Sequence, residues 1–199
     1  MARRPKDKGE AFPELGDIER EMSQTRSKGR YRKALKGAIG TVVVVAALAV
    51  LIATLLLPVM RVTGTSMQPG FQPGDILVGW KTRNFKRGDV CLFSFNNKLI
   101  IKRVIGLGGD RIEIDEEGHV TCNGEQLVED SYISEYALGL CDLEFPFEVP
   151  IGTCFVLGDN RDNSVDSRAT NFGCIGEEEI VGKVLVRVWP MNGFTWYGF

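Results

Sequence analysis

The 24 residues from Gly37 to Met60, GAIGTVVVVAALAVLIATLLLPVM, contain no charged side chain. A helix of about 20 apolar residues crosses the hydrocarbon core of a bilayer. Inside lipid the backbone must satisfy its own hydrogen bonds, so a single span has to be helical. Core helices of soluble proteins seldom run this far without a charge. A cleavable signal sequence has a shorter apolar run, and Met60-Arg61-Val62-Thr63 offers no pair of small residues for cleavage. The run therefore predicts a transmembrane helix over 37–60.

This span divides a near-neutral chain into two unlike parts. Residues 1–36 hold 11 Lys/Arg against 6 Asp/Glu, a net of +5, whereas residues 61–199 hold 13 against 20, a net of −7. Arg26, Lys28, Arg30, Arg32, Lys33 and Lys36 crowd the N-terminal flank without an acid among them. Positive flanks stay in the cytoplasm. The expectation is a single-pass type II protein of the cell membrane, with a basic cytoplasmic tail over 1–36 and an extracytoplasmic domain over 61–199. The tail, with Arg3, Arg4, Lys6 and Lys8, is either a topology signal or a contact for anionic lipid.

Beyond the span, short apolar runs alternate with Gly, Pro and Asp turns. Strands are predicted over Ile76–Trp80, Val90–Phe95, Leu99–Ile105, Arg111–Ile114, Cys154–Leu157 and Val181–Val188, so the fold class is mainly antiparallel β. Residues 120–148 read as a less regular insertion. All five cysteines (Cys91, Cys122, Cys141, Cys154, Cys174) fall in this domain without the close spacing of a zinc site, as buried thiols or with a disulfide between some pair. The aromatic C-terminus (Trp189, Phe194, Trp196, Tyr197, Phe199) either packs in the core or rests at a membrane interface.

Two apparent ligand loops fail on inspection. Gly106-Leu-Gly-Gly109 precedes the alternating strand Arg111–Ile114 rather than the helix that a phosphate loop must open. Asp159–Asp166 puts Ser164 where a calcium loop needs glycine. Neither a metal nor another cofactor is implied, nor a nucleic-acid partner. The single histidine, His119, lies in a polar turn, so a serine nucleophile here needs a base other than imidazole.

Two segments remain. Ser66 sits in Gly64-Thr-Ser-Met-Gln-Pro69, a turn able to present a hydroxyl and its backbone N–H. Lys102 sits in the predicted strand Leu99–Ile105, on one face with Ile100 and Val104. It either snorkels to the surface or is held among apolar groups, and in the second case desolvation favours the neutral amine.

Gly-x-Ser-Met-x-Pro (from Gly64), Lys-Arg-Val-Ile-Gly-x-x-Gly-Asp (Lys102–Asp110) and Gly-Asp-Asn-Arg-Asp-Asn-Ser-x-Asp-Ser-Arg (Gly158–Arg168), in this order behind a membrane anchor, resemble the bacterial type I signal peptidases. The resemblance covers about residues 40–190 and is weakest over 120–148. It implies a membrane-bound serine endopeptidase of the β fold shared with self-cleaving Ser–Lys repressors, removing signal peptides from secretory preproteins. It implies Ser66 as nucleophile, Lys102 as general base and Ser164 as the hydroxyl holding the lysine amine. Arg103, Asp159, Asp166 and Arg168 match charged positions that brace the site. Gly64 stands where some relatives carry a Ser or Thr that helps bind the oxyanion, which leaves the second donor open. By motif position, Val62, Met67, Phe71 and Ile101 are expected to line pockets for small side chains.

Three other readings bear on the same residues. A relative dedicated to one substrate would carry the same boxes. A binding-only domain would be expected to lack Ser66 or Lys102, and a repressor would carry a DNA-binding domain where this chain has its span.

Overall fold

The computed structural model describes residues 15–95 and 98–197, apart from the side chains of 15–34 and 192. The described chain divides into two compact units that meet between Ile52 and Ala53.

The first unit is helical. Helix α1 runs Leu15–Leu56, and its stretch Leu35–Leu56, of mean hydropathy 2.8, is long and apolar enough to cross a membrane. Its large side chains are exposed throughout, as lipid-facing groups would be. The polar Thr41 returns its hydroxyl to the Gly37 carbonyl (3.0 Å), which keeps it satisfied without water. Two expectations change. Residues 15–36, read as a tail, continue the same helix; Glu, Arg, Lys and Met are good helix formers even without an apolar stripe. At the other end the helix stops at Leu56 rather than Met60, because a residue before proline is disfavoured in the α region and Pro58 follows Leu57. Of the residues named in the basic tail, Arg3, Arg4, Lys6 and Lys8 lie outside the described residues, as do the side chains of Arg26 through Lys33.

The second unit is β. Its strands among the described residues are β1 (Val59–Arg61), β2 (Ile76–Trp80), β3 (Val90–Phe95), β4 (Lys98–Leu107), β5 (Arg111–Ile114), β6 (Val120–Cys122), β7 (Glu125–Gln126), β8 (Phe147–Glu148), β9 (Thr153–Leu157), β10 (Ile175–Gly176), β11 (Ile180–Trp189) and β12 (Thr195–Trp196). The larger sheet has the order β1-β2-β11-β3-β4-β9-β10, with β12 on β11; a smaller one has the order β7-β6-β5-β8. Every pairing is antiparallel. The region read as a less regular insertion thus supplies β6, β7 and β8. These strands are two or three residues long, too short to show a period.

Period-two alternation sorts the strand residues among three apolar clusters. In β3, Cys91 and Phe93 face one cluster while Val90 and Leu92 face another. In β9, Cys154 and Val156 join the first, and Phe155 and Leu157 join a third with Ile105 and Ile112. The central strands read as nearly continuous apolar runs because both of their faces are covered. All five cysteines are free thiols, three of them buried. Burial lifts Cys154 to about 11, which keeps it a protonated, inert packing group.

Candidate active site

Strand β4 delivers Lys102 to the middle of the domain. Its neighbours in the alternation, Ile100 and Val104, belong to the first apolar cluster, and the lysine is 4% exposed. It does not snorkel. Burial pulls its amine down from the usual 10.5 to about 8; Asp166 and Asp159 oppose that shift and Arg168 adds to it. The Nζ donates a hydrogen bond of 2.7 Å to Ser164 Oγ.

Ser66 lies half-buried in the loop after β1. The same cleft, of about 340 Å³, is lined by Ser66, Lys102, Gly64 and Thr63, with Met60, Val62, Met67, Leu99, Ile100 and Ile101 as its apolar walls and Phe95, Val165 and Phe172 completing it. Val62, Met67 and Ile101, three of the four residues named by motif position, line this cleft. Phe71 does not: it is fully buried, packs its ring against Tyr197 at 4.8 Å and belongs to the core with Leu77, Leu92 and Val184, where its whole apolar surface is removed from water.

The Gly158–Arg168 loop clamps the site from the other side. Asn160 N–H donates to the Ser66 carbonyl (3.0 Å). The Asn160 side chain reaches the Thr65 carbonyl (3.2 Å), and the Asn163 amide reaches the Thr65 hydroxyl (3.2 Å). Asp166 accepts from Gly158 N–H (3.0 Å) and from Ser164. Arg168 grips both Asp166 oxygens at 2.8 and 2.9 Å. Burial raises the Asp166 carboxyl, but these bonds outweigh it and hold it below its usual value. Arg103 binds both oxygens of Asp159 at 2.8 and 2.7 Å, although burial still leaves that carboxyl raised. Asp159, Asp166 and Arg168 are each at most 1% exposed, so none is a solvated turn charge.

Glycine is required at 158 by close approach. A Cβ there would stand 2.5 Å from the Ser66 carbonyl oxygen and 2.6 Å from Ser164 Cβ. At Gly64 the space is open.

Reading the sequence missed several groups. Phe95, Val165 and Phe172 line the cleft from separate segments, and no local pattern announces them. Glu129 and Arg161, both buried, form an ion pair across 32 positions. The polar turn of His119 behaves as expected of a surface feature. Its ring bonds Asp115 Oδ2 at 3.1 Å and stacks on Tyr136 at 4.4 Å, beside the exposed Glu117.

A hydroxyl and a buried amine that is readily neutralised, facing one apolar cleft in a β-sheet domain, are the parts of a serine endopeptidase. A family model described as signal peptidase, peptidase S26, matches residues 35–189. The chain belongs to that family. Signal peptidase IB of Staphylococcus aureus (strain COL) is 35% identical over 153 residues, covering 67% of this chain and 78% of that one. A probable signal peptidase I-2 of Synechocystis is 32% identical over 166 residues, covering 76% and 72%. A crystal structure of a signal peptidase I from Enterococcus faecalis V583 matches with a TM-score of 0.41 and 30% identity, over 50% of this chain and 96% of that one. The chain is accordingly a membrane-associated serine endopeptidase of the signal-peptide-removing kind.

Proposed function

We propose that Ser66 is the nucleophile and Lys102 the general base of this peptidase, with Ser164 orienting the lysine. The observation that carries the reading is the 4% exposed Lys102, hydrogen-bonded to Ser164 at 2.7 Å and sharing one cleft with Ser66. A neutral lysine has two N–H donors and one lone pair. Donating one N–H to Ser164, whose own hydroxyl turns to Asp166, leaves the lone pair for the Ser66 proton. As Ser66 Oγ attacks the carbonyl carbon of the scissile bond, Lys102 takes the hydroxyl proton. The lysinium then returns it to the departing amine as the C–N bond breaks. Water attacks the resulting ester with Lys102 again as base, releasing the mature N-terminus first and the signal peptide carboxylate second. The Ser66 backbone N–H is one oxyanion donor and the Gly64 N–H, in the open loop beside it, the second.

The cleft walls suit a short, extended, apolar peptide. The register of β4 with β9 begins at Arg103, so Leu99–Lys102 offers a strand edge on which the substrate backbone can lie while Val62, Met67 and Ile101 limit side-chain size. Residues 61–199 form the extracytoplasmic peptidase domain and residues 1–36 stay in the cytoplasm, as the positive flank directs. Exposed Trp189, Phe194 and Trp196 meet the bilayer at headgroup level, and the substrate's own apolar segment lies in that bilayer.

The test is cleavage of a labelled preprotein by detergent-solubilised wild type, Ser66→Ala and Lys102→Ala, with the cut mapped by mass spectrometry. Wild type should cut after a small residue, and both variants should lose at least about 1000-fold. An active Lys102→Ala variant would remove the assigned base.

A further inference from the structure

We propose that Glu129 and Tyr132, from the segment between β7 and β8 that the catalytic reading leaves unused, are positioning residues for the Lys102 site. The proposal rests on the reading of Lys102 as base and extends it.

Two chains of contact leave this segment and converge on Gly158–Asp159. In the first, both Glu129 oxygens accept from Arg161 (2.9 Å to Nη1 and 2.5 Å to Nη2), and Arg161 Nε donates to the Gly158 carbonyl at 3.0 Å. In the second, the Tyr132 ring lies 4.0 Å beneath the Arg103 guanidinium, which holds both oxygens of Asp159. The Tyr132 hydroxyl donates to Glu129 and so ties the two together. Immediately downstream, Asn160 N–H holds the Ser66 carbonyl, and Gly158 packs against Ser164, the partner of Lys102. Shifting Gly158–Asp159 therefore moves the loop carrying the nucleophile and the hydroxyl orienting the base together.

Burial shows why such a pair is suited to positioning. Glu129 is fully buried and Arg161 is 2% exposed. Well-packed apolar residues usually stabilise a core as much as a buried ion pair does, so the pair is not explained by stability alone. What it supplies is geometry. A guanidinium bonded to two carboxylate oxygens has one allowed orientation, and here it directs Nε to a single carbonyl. The same segment continues to Leu138, whose carbonyl accepts from Arg168 at 2.6 Å, and to Asp142, which accepts from Thr170 N–H at 2.6 Å. The region without sequence pattern is thus the outer support of the catalytic loop.

The experiment compares full-length wild type, Glu129→Gln, Tyr132→Leu and Tyr132→Phe in detergent. Rates are normalised to the folded fraction from circular dichroism, and kcat and KM are followed from pH 6 to 10. Glu129→Gln keeps the shape but loses the charge. Its kcat should fall roughly 10- to 100-fold with KM within about threefold, as for a displaced catalytic group. The acid limb of the kcat profile should move up by about half a pH unit or more, because a loosened loop lets water reach Lys102 and reduces its desolvation. Tyr132→Leu should move both readouts the same way, and Tyr132→Phe, which keeps the ring under Arg103, should restore most of kcat. Should Glu129→Gln fail to fold, Tyr132→Leu decides by the same criteria. Folded variants with wild-type kcat and acid limb would overturn the proposal, as would a loss that only tracks the folded fraction. Lys102→Ala is run alongside. If it stays active the base assignment itself is wrong; if it is silent while the acid limb of Glu129→Gln is unmoved, only the positioning role falls.

Discussion

Replacing Gly158 with alanine adds one methyl group at the tightest point of the site. That carbon would sit 2.5 Å from the Ser66 carbonyl oxygen and 2.6 Å from Ser164 Cβ, and closer still to Ser164 Oγ. Ordinary carbon contacts lie near 3.5 to 4.0 Å, so the neighbours must retreat by about 1 Å. Neither is a flexible chain end. The Ser66 carbonyl is fixed by Asn160 N–H at 3.0 Å, and Ser164 is held between Lys102 and Asp166. Overpacking of this sort costs about 1–3 kcal/mol of stability, which a domain of this size survives. A displacement of about 1 Å in catalytic groups costs on the order of 100-fold in turnover. Gly158→Ala should therefore remain folded by circular dichroism while kcat on a labelled preprotein falls by about 100-fold and KM changes little. A folded variant with wild-type kcat would refute the reasoning, because Ser164 would then have moved without consequence for Lys102.

Two further outcomes follow from the lysine. With its pKa lowered to about 8, the rate below that pH should rise roughly tenfold per pH unit and flatten above it, as a pH–rate profile under single-turnover conditions will show. Stability carries the opposite mark of the same shift. The unfolded lysine binds its proton up to about 10.5 and the folded one only to about 8, so the folded state is penalised most below pH 8, by about 3 kcal/mol, and not at all above pH 10.5. Lys102→Met should accordingly be more stable than wild type at pH 6.5 in urea titrations, and the gap should close as pH rises from 8 to 10.5. A gap independent of pH would mean that the amine is not desolvated.

How much of this was legible in the sequence depended on the range of the interaction. The long strands showed themselves through local alternation, and β4 disclosed the odd lysine because Ile100 and Val104 share its face. The uncharged run overstated the C-terminal end of α1, because Pro58, which disfavours a helical conformation at the preceding residue, lies inside that run. What stayed hidden depends on distant partners. β8 pairs with β5 across the whole 115–146 segment, and two residues carry no period. Arg161 reads as one more charge in a polar loop until Glu129, 32 positions away, is placed against it. Phe71 reads as a pocket residue by its motif position, but its ring partner is Tyr197 near the other end of the chain.

The sheet order has a consequence for when this peptidase becomes dangerous. Lys102 meets Ser164 across 62 positions, and Thr65, beside Ser66, meets Asn163 across 98. Contacts that close loops of this length form late, since their entropy must be met before they stabilise anything. On the proposed assignment, a half-folded chain holds its serine and its lysine in different places, with the lysine in water, charged and useless as a base. Completion of the fold is then the activation step. On that assignment only a finished copy of the domain can cut.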